Sequence, residues 1–289
     1  MIKDQFGDTY YKLALHLHTK LSDGRKTPEE VAEEYKAGGY DAIAFTDHWR
    51  YGAGGELCGL HILPGAEYNL GGNDTSGCVM HIVGIGMSYD PQISKESSRQ
   101  QVVDAINAAG GIAVLAHPAW SVNTLADAQV LDGITATEIY NAVSEAGMSM
   151  RAYSDHFVDV CANAGLYWKI FATDDAHYYE GADNRRGWVM VKAESLSDEA
   201  LLNALRAGDF YASQGPELSV KREGNTLIVD SSPCSVIGTM SNLAWTANRV
   251  ARGENLTHFE YEIKEKETWI RVEAIDAEGN HAWSNIIVL

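Results

Sequence analysis

Over the first two thirds of the chain, apolar residues occur in short runs bounded by turn residues, a pattern typical of buried strands. Helical patterns lie between several of these runs and predict helices near residues 27–39, 97–109, 145–164 and 197–207. Strands that alternate with helices favour a parallel α/β architecture, and seven of them suit an imperfect barrel. The seven predicted strands lie at residues 12–18, 41–46, 61–66, 79–85, 112–116, 136–140 and 168–173.

The pattern changes after about residue 215. Short segments that alternate apolar and polar residues follow, joined by turn-like sequences. Phe259, Tyr261 and Ile263, for example, share one face of a predicted strand. We therefore expect two domains, a barrel over residues 1–214 and a small antiparallel β-sheet or sandwich over residues 215–289.

Residues of metal-ligand type stand near the ends of the apolar runs. In a barrel the carboxyl ends of the strands meet at one mouth, so these side chains are expected to converge there. In the pairs His16-x-His18 and Asp175-x-His177 the two side chains point the same way, because side chains alternate along a strand. The predicted metal ligands are His16, His18, Asp23, His48, Glu67, His81, His117, Asp175 and His177.

A single buried histidine, such as His81, is as often a hydrogen-bonded core residue as a ligand. The whole set of nine in one sequence context favours a metal cage. The four remaining histidines lack this context, and we interpret them as surface or packing residues: His61, His156, His258 and His281. No predicted ligand lies beyond His177, so a chain truncated after Gln214 is expected to keep the site.

The net charge limits the class of partner, and the cysteine content limits the kinds of disulfide and metal site. The net charge of -18 disfavours a long nucleic acid or an anionic membrane as a partner, because both bind surfaces with clustered Lys and Arg. No apolar stretch approaches the length of a membrane span, and the N-terminal residues show no export signal. The four cysteines, Cys58, Cys78, Cys161 and Cys234, form no CxxC pair, so we expect neither a disulfide framework nor a zinc-thiolate site. A cytoplasmic location fits; the oligomeric state stays open.

With these motifs laid out, the chain resembles the PHP (polymerase and histidinol phosphatase) family of metal-dependent phosphoesterases. The motifs, in order, are HLHTKLSDG, AFTDH, GAEYN, MHIVGIG, LAHP and TDDAH, within residues 10 to 215. The resemblance implies a distorted (β/α)7 barrel with two to three divalent ions. His16, His18 and Asp175 would hold one ion, and His81 and His117 a second, with Glu67 bridging the two. Asp23, His48 and His177 would hold the third.

Two details of the resemblance are less specific. Asp174 beside Asp175 leaves the carboxylate assignment open, although the Asp-x-His spacing favours Asp175. The sequence that follows His177 resembles the bacterial branch of the family, which carries a C-terminal β-domain.

The resemblance implies hydrolysis of a small phosphate ester of the nucleotide, sugar phosphate or histidinol phosphate type. Imidazole and carboxylate ligands suit Zn, Mn or Fe(II), so the metal stays open. A hydroxide shared by two ions would be the nucleophile, with Glu67, Asp175 and His177 in the catalytic centre. Arg185 and Arg186 are candidates for contact with the phosphoryl group.

Two other functions stay open at this point. A C-N or lactone hydrolase of the amidohydrolase type also begins with a His-x-His strand, but that class usually bridges its metals with a carbamylated lysine. The lysine in a nearby predicted strand, Lys169, stands at its beginning. A non-catalytic binding module, with the barrel as a metal-stabilised scaffold, is the other possibility.

Overall fold

The computed structural model describes residues 2–3, 7–71, 79–145 and 149–289. Cys78 and most of the predicted loop 70–78 lie outside the described residues. Cys58, Cys161 and Cys234 are free thiols, as expected from their isolation in the sequence.

The strands, in chain order, are β1 (Ile2–Lys3), β2 (Thr9–Ala14), β3 (Ala42–Ala44), β4 (Gly55–Leu57), β5 (Leu60–Leu63), β6 (Gly65–Leu70), β7 (Met80–Ile85), β8 (Ile112–Leu115), β9 (Ala136–Asn141), β10 (Lys169–Thr173), β11 (Trp188–Val191), β12 (Phe210–Ser213), β13 (Leu218–Glu223), β14 (Thr226–Ser241), β15 (Val250–Glu262), β16 (Trp269–Ile275), β17 (His281–Ser284) and β18 (Ile287–Val288). All seven predicted apolar runs contain strand residues. Strands β11 and β12 were not among the sequence predictions.

The helices are α1 (Pro28–Ala37), α2 (Arg99–Ala108), α3 (Pro118–Ser121), α4 (Leu125–Gln129), α5 (Asp155–Asn163) and α6 (Asp198–Ala207). Helix α1 begins with a capping box, in which Thr27 accepts from the backbone N–H of Glu30 and the Glu30 side chain accepts from that of Thr27. Helix α5 is shorter than the predicted 145–164. The described residues before Asp155 are irregular, with an isolated bridge between Tyr153 and Tyr140.

The structure is a mixed α/β fold with large sheets, and the closed (β/α)7 barrel is not confirmed. Strands β2, β3 and β5 lie parallel in a 13-stranded sheet, whereas β6 to β10 form a separate 5-stranded sheet. The chain passes from one sheet to the other at Pro64, which lacks a backbone N–H for the ladder. Among the described residues, isolated bridges such as Leu17 with Ala176 and His48 with Glu67 join the two sheets near the mouth.

One strand around the site runs opposite to the others. β7 pairs antiparallel with both β6 and β8, while β8, β9 and β10 are mutually parallel. The expectation of a wholly parallel barrel is therefore wrong at β7. Because β7 is reversed, its amino-terminal end lies at the mouth. His81, the second residue of β7, is therefore at the mouth, whereas the ligands near β8 and β10 follow the carboxyl ends of those strands.

Helix α6 covers the end of the fold away from the mouth. Leu201, Leu202 and Leu205 on its apolar face are buried against the side chains between the sheets. Each such leucine contributes about 1.5–3 kcal/mol relative to an exposed position. Glycine is favoured at position 86, because its φ of +73° is one that other residues rarely adopt and an added Cβ would lie 2.3 Å from a Leu202 methyl carbon.

The C-terminal strands form an antiparallel extension of the large sheet. β13, β14, β16 and β17 follow one another in the sheet, and β17 pairs with β12. The small sheet predicted for residues 215–289 thus continues the barrel sheet through β12. Trp283 of β17 is fully buried and stacks with Tyr140 of β9 at a ring-centroid distance of 6.3 Å.

Among the described residues, no helix is both long enough and apolar enough to cross a membrane. The cytoplasmic location stays a prediction.

Candidate metal centre

The structure brings all nine predicted ligand residues to one mouth. They form three overlapping groups, and within each group the potential ligand atoms lie within 4.8 Å of one another. The groups are His16, His18, Glu67 and Asp175 (the inner group); Glu67, His81 and His117 (the side group); and His18, Asp23, His48 and His177 (the outer group).

The inner group is fully enclosed. His16 Nε2 lies 3.1 Å from Asp175 Oδ1, and His18 Nε2 lies 3.0 Å from the same oxygen. Glu67 completes the group, with Oε2 3.2 Å from His18 Nε2. The three residues assigned from the sequence to one ion are thus adjacent to the carboxylate assigned as the bridge.

Glu67 also faces the side group. Its Oε1 lies 3.0 Å from His81 Nδ1 and 3.4 Å from His117 Nε2. Glu67 is the third residue of β6 and is only 1% exposed. Two groups of potential ligand atoms therefore share this one buried carboxylate, the residue for which the PHP resemblance implies a bridging role.

The outer group is the most open to solvent. The Asp23 side chain is 52% exposed and lies 3.5 Å from nitrogens of His18, His48 and His177. His18 uses Nδ1 toward Asp23 and Nε2 toward Glu67 and Asp175. The structure thus places His18 between the inner and outer groups, whereas the sequence assigned it to the inner ion alone.

Two candidate ligands have strained backbones. Asp175 has φ 52° and His117 has φ 28°, in the left-handed region that non-glycine residues rarely adopt. Such strain costs about 1–3 kcal/mol per residue and persists where the surroundings fix the conformation. Here both conformations turn a side chain into the cluster at the end of a strand.

Burial and mutual charge shift the titration of the cluster. Burial lowers the pKa of His18, but the adjacent carboxylates of Asp175 and Glu67 outweigh it and raise that pKa to about 9. Burial likewise raises the pKa of Glu67, and the charges of His16 and His81 outweigh it and hold the carboxyl well below its usual range. The carboxylates are therefore ionised and attract positive charge into the pocket.

The donor set fits divalent cations. Asp175 Oδ1 and His48 Nδ1 are buried and make no hydrogen bond, although other ligand atoms lie close to both. Buried polar atoms are normally hydrogen-bonded, so atoms that converge without bonding indicate a missing partner at their centre. Imidazole nitrogens and carboxylate oxygens are the ligands of Zn, Mn and Fe(II).

Asp174 has a different role from its neighbour. Its two oxygens accept hydrogen bonds from the backbone N–H groups of Arg185, Arg186 and Gly187 and from the Tyr35 hydroxyl. Burial raises its pKa to about 6 despite these bonds. The open choice between the two aspartates is thus decided by position, since Asp175 alone lies in the cluster.

The candidate arginines do not reach the cluster. The side chain of Arg185 lies 3.6 Å from Glu34, and that of Arg186 lies 3.5 Å from Glu145. Both are 45% exposed, and neither lines the cavity above the ligands. The sequence proximity to His177 did not translate into spatial proximity, because the 183–187 segment turns back to Asp174.

A cavity of about 340 Å³ opens above the ligand groups. Trp120, Val143, Ser144 and Tyr178 line it together with several of the ligands. Trp120 packs edge-on against His117, with ring centroids 4.9 Å apart. In the described part of the chain, the lining contains neither Lys nor Arg.

Several residues that hold the ligands were missed in the sequence. Glu138 and Asn141 on β9 are buried beside His16 and Asp175, and Asp183 accepts from the backbone N–H of His177. The signal for Glu138 was present, since a carboxylate in the middle of the apolar run 136–140 is rarely buried without a partner. Asp183 lies in a loop whose course the sequence does not indicate.

The four histidines interpreted as surface or packing residues lie outside the three groups. His61 contacts Asp198, His258 contacts Asp230, and His281 contacts Glu273. His156 is exposed on α5.

Comparison with known proteins agrees with this geometry. Residues 14–115 match the family model of the PHP domain. This part of the chain is similar to a PHP domain. The match includes six of the nine candidate ligands, from His16 to His81, whereas His117, Asp175 and His177 lie beyond its end. The resemblance noted in the sequence is thereby confirmed.

Two relatives extend the comparison. The uncharacterized protein MJ1587 of Methanocaldococcus jannaschii is 26% identical over 151 residues, which are 47% of this chain and 85% of the relative. A two-domain protein of Bacteroides vulgatus, described as containing a predicted PHP-like metal-dependent phosphoesterase, has a TM-score of 0.58 at 15% identity, covering 100% of this chain and 97% of that chain. At this identity the likeness concerns the fold, and it includes the C-terminal strands.

Endonuclease Q has a similar fold over part of its length. The lesion-specific enzyme of Pyrococcus furiosus has a TM-score of 0.50 at 14% identity, covering 69% of this chain and 56% of that chain. A complex of endonuclease Q with a 27-mer duplex, with an abasic lesion at the active site, has the same TM-score of 0.50 at 12% identity, covering 69% and 57%.

This likeness corrects one expectation. A long nucleic acid was considered an unlikely partner because of the net charge of -18. That exclusion is wrong, because a protein of this fold holds a DNA duplex at its active site. Net charge sums over the whole surface and is screened beyond about 8 Å at physiological salt, so it does not report the charge of one pocket.

Proposed function

We propose that this protein is a metal-dependent phosphoesterase that hydrolyses a phosphate ester in the cavity above the three ligand groups. The observation that carries the proposal is the position of Glu67, whose two oxygens face two different groups of ligand atoms. A shared carboxylate of this kind holds two cations close together, as hydrolytic two-metal sites require. The PHP domain match agrees with this class of reaction.

Each set of ligand residues would hold a different ion. His16, His18 and Asp175 would hold one ion with Glu67; His81 and His117 a second; and Asp23, His48 and His177 a third. Divalent ions bound here would supply Lewis-acid chemistry and acidify water near neutral pH. The chain itself supplies fixed ligands and a buried setting, in which electrostatic stabilisation needs little reorganisation. The exposed Asp23 and the outer group face the cavity, where the leaving group would depart.

The cavity walls favour contact with the organic part of the substrate. Trp120, Val143 and Tyr178 offer apolar and aromatic surface, and the described lining has no cationic side chain for the phosphoryl group. The phosphoryl group would therefore depend on the ligand groups for charge neutralisation. Both small phosphate esters and the sugar-phosphate backbone of a nucleic acid carry such a group next to an organic part.

The geometry weakens the amidohydrolase alternative. In the part of the chain that the structure describes, no lysine lies in the three ligand groups, and Glu67 faces two of them. Lys169 lies at the start of β10, and its Nζ is next to Gly208 at the far end of α6. This end of the fold lies away from the mouth.

The test is hydrolysis by metal-loaded protein against matched phosphate mono- and diesters. The panel contains nucleotides, sugar phosphates, histidinol phosphate, oligonucleotides and a duplex with an abasic site, each assayed with Zn, Mn or Fe(II). We expect phosphate ester hydrolysis that a chelator abolishes and re-added metal restores. Metal-loaded protein that hydrolyses lactones or amides but no phosphate ester would overturn the proposal.

A further inference from the structure

A buried carboxylate that is not itself a candidate ligand connects two of the ligand groups. Glu138 lies on β9 and is 1% exposed. In the sheet, β9 lies between β8, which leads to His117, and β10, which leads to Asp175. Its Oε1 lies 2.6 Å from His16 Nδ1. Its Oε2 accepts from the backbone N–H of His117 at 2.8 Å and from Asn141 Nδ2 at 2.9 Å.

These contacts fix the proton on His16. A backbone N–H and a side-chain amide N–H both point at Oε2 of Glu138, which therefore accepts. Glutamate is ordinarily a carboxylate at neutral pH, and in that form Oε1, the oxygen that faces His16, accepts as well. Because a carboxylate only accepts, His16 Nδ1 must donate. The lone pair of neutral His16 is then on Nε2, the atom that lies 3.1 Å from Asp175 Oδ1 and 3.2 Å from His18 Nε2 in the inner group.

Asn141 orients the opposite ligand in the same way. Its Nδ2 donates to Asp175 Oδ2 at 3.2 Å as well as to Glu138. Its Oδ1 accepts from the backbone N–H and the hydroxyl of Ser144, which lines the cavity. Asp175 is thus held by one oxygen, and its other oxygen, Oδ1, points to the inner group without a hydrogen bond.

We propose that Glu138, supported by Asn141, is the positioning residue of the inner group: it selects the His16 tautomer that can bind a metal and fixes the separation of His16 from His117. Residues that orient ligands in this manner typically change metal affinity about 10–100-fold when they are replaced. The inference rests on the proposed metal centre and adds to it the residues that determine its affinity.

Replacement of Glu138 by Gln tests the tautomer directly. A glutamine has one acceptor oxygen, whereas three donors point at Glu138. If the amide oxygen meets the two donors from His117 and Asn141, the amide NH₂ faces His16 Nδ1 and forces it to accept. The proton of His16 then moves to Nε2, which removes the lone pair from the inner group.

The matched control is Glu273→Gln. Glu273 is a half-buried carboxylate that lies 2.6 Å from a histidine Nδ1, that of His281, but this pair lies in the C-terminal strands and away from the ligand groups. An effect on stability that comes merely from changing a carboxylate–histidine hydrogen bond is expected in both variants. Loss of metal affinity through a misplaced ligand affects Glu138→Gln alone.

Zinc affinity is measured by chelator competition on the full chain, with circular dichroism and Tm as folding controls. We expect the most tightly held zinc to bind about 10–100-fold more weakly in Glu138→Gln and unchanged in Glu273→Gln. In the His16→Ala background, Glu138→Gln is expected to add little further loss, because the two residues act as a unit. Long-range ¹⁵N–¹H spectra of zinc-loaded wild type should show His16 protonated at Nδ1.

The outcomes separate this inference from the proposed function. Wild-type protein that binds no zinc would contradict the metal centre itself. Wild-type protein that binds zinc, with Glu138→Gln and Asn141→Ala of equal affinity, would overturn the positioning role alone. Protonation of His16 at Nε2 in the zinc-loaded wild type would also overturn that role. If Glu138→Gln does not fold, Asn141→Ala tests the same contact chain from the side of Asp175.

Discussion

Glu67 is the residue on which the candidate centre depends most. It is buried among five histidines, and its two oxygens face different groups. This carboxylate is the negative charge between the inner and side groups. If it were removed, cations bound in the two groups would repel each other across a short distance. Removal of one terminal histidine would affect one group alone.

The first prediction follows from this asymmetry. Glu67→Gln keeps the volume but removes the negative charge, so we expect phosphoesterase activity to fall by about 10² or more while the fold survives. Metal content should fall by at least one ion. Elemental analysis and kcat/KM measure the two effects, with the exposed Glu254→Gln as control. Near-normal activity in Glu67→Gln would reject its shared role.

The arginines after His177 give the second prediction. In the structure their side chains form exposed ion pairs, which contribute at most about 1 kcal/mol. We therefore expect Arg185→Ala and Arg186→Ala each to keep kcat/KM within about threefold of wild type. A loss of ten- to a hundred-fold at constant metal content corresponds to a charge-assisted contact of about 1.5–3 kcal/mol. Such a loss would show that the segment moves over the cavity when substrate binds.

At the residue level, the candidate ligands were predictable, whereas the contacts of the residues that support them were not. Each ligand stands near the boundary of an apolar run, where a polar side chain signals the mouth of a sheet. Glu138 stands inside such a run and was interpreted as part of a strand. Its role depends on His16, which is 122 positions away, and sequence spacing carries no information on that contact.

The loop after β10 determines where the outer group lies. Asp183 accepts hydrogen bonds from the backbone N–H groups of His177, Tyr178 and Tyr179 at 2.7, 2.6 and 2.9 Å. Oδ2 serves the first two and Oδ1 the third. This one buried carboxylate folds the segment that carries His177 toward Asp23.

The third prediction concerns this loop. Asp183→Ala leaves three backbone donors without their acceptor, at a cost of about 1–3 kcal/mol for each that stays buried. We expect the outer group to lose its ion, so that metal content falls by about one per chain while the inner and side groups stay loaded. Elemental analysis measures the change, and Asp183→Asn, which keeps one acceptor oxygen, should be intermediate. Full metal content in Asp183→Ala would show that the loop is fixed by other contacts.

The direction of the strands marks the limit of pattern analysis at the element level. Residues 79–85 form an apolar run that predicts β7, but such a run is the same in either direction. The reversal of β7 is visible only in its antiparallel pairing with β6 and β8, which is a tertiary feature. The division of the strands into two sheets on either side of Pro64 is likewise a tertiary feature that the apolar runs do not indicate.

At the scale of the whole molecule, the C-terminal strands are bound closely to the barrel region. Arg271, 1% exposed, forms a bidentate contact with Asp159 of α5 at 2.6 and 3.0 Å. Asn285 donates to the backbone oxygens of Gly208 and Phe210 and accepts from the N–H of Ile170. The change of pattern near residue 215 was visible in the sequence, but these contacts were not.

The fourth prediction changes the expectation for truncation. A chain that ends at Gln214 loses the partner strand of β12 and the fully buried Trp283. Loss of a buried tryptophan side chain alone costs about 3–5 kcal/mol, a large part of the usual stability of a domain. We expect the truncated chain to have a much lower Tm and reduced metal content, and Trp283→Ala to shift Tm in the same direction. A fragment with wild-type Tm and metal content would show that the barrel region folds independently.

The function proposed for this protein requires that the three groups of side chains at the mouth bind divalent cations, two of them through Glu67. Anomalous diffraction from crystals of the manganese-loaded protein measures this directly. We predict two to three anomalous peaks per chain. Glu67 should contact two of them, and His18 should contact the peak in the inner group. No peak at the mouth, or a single peak that does not contact Glu67, would contradict the proposed centre.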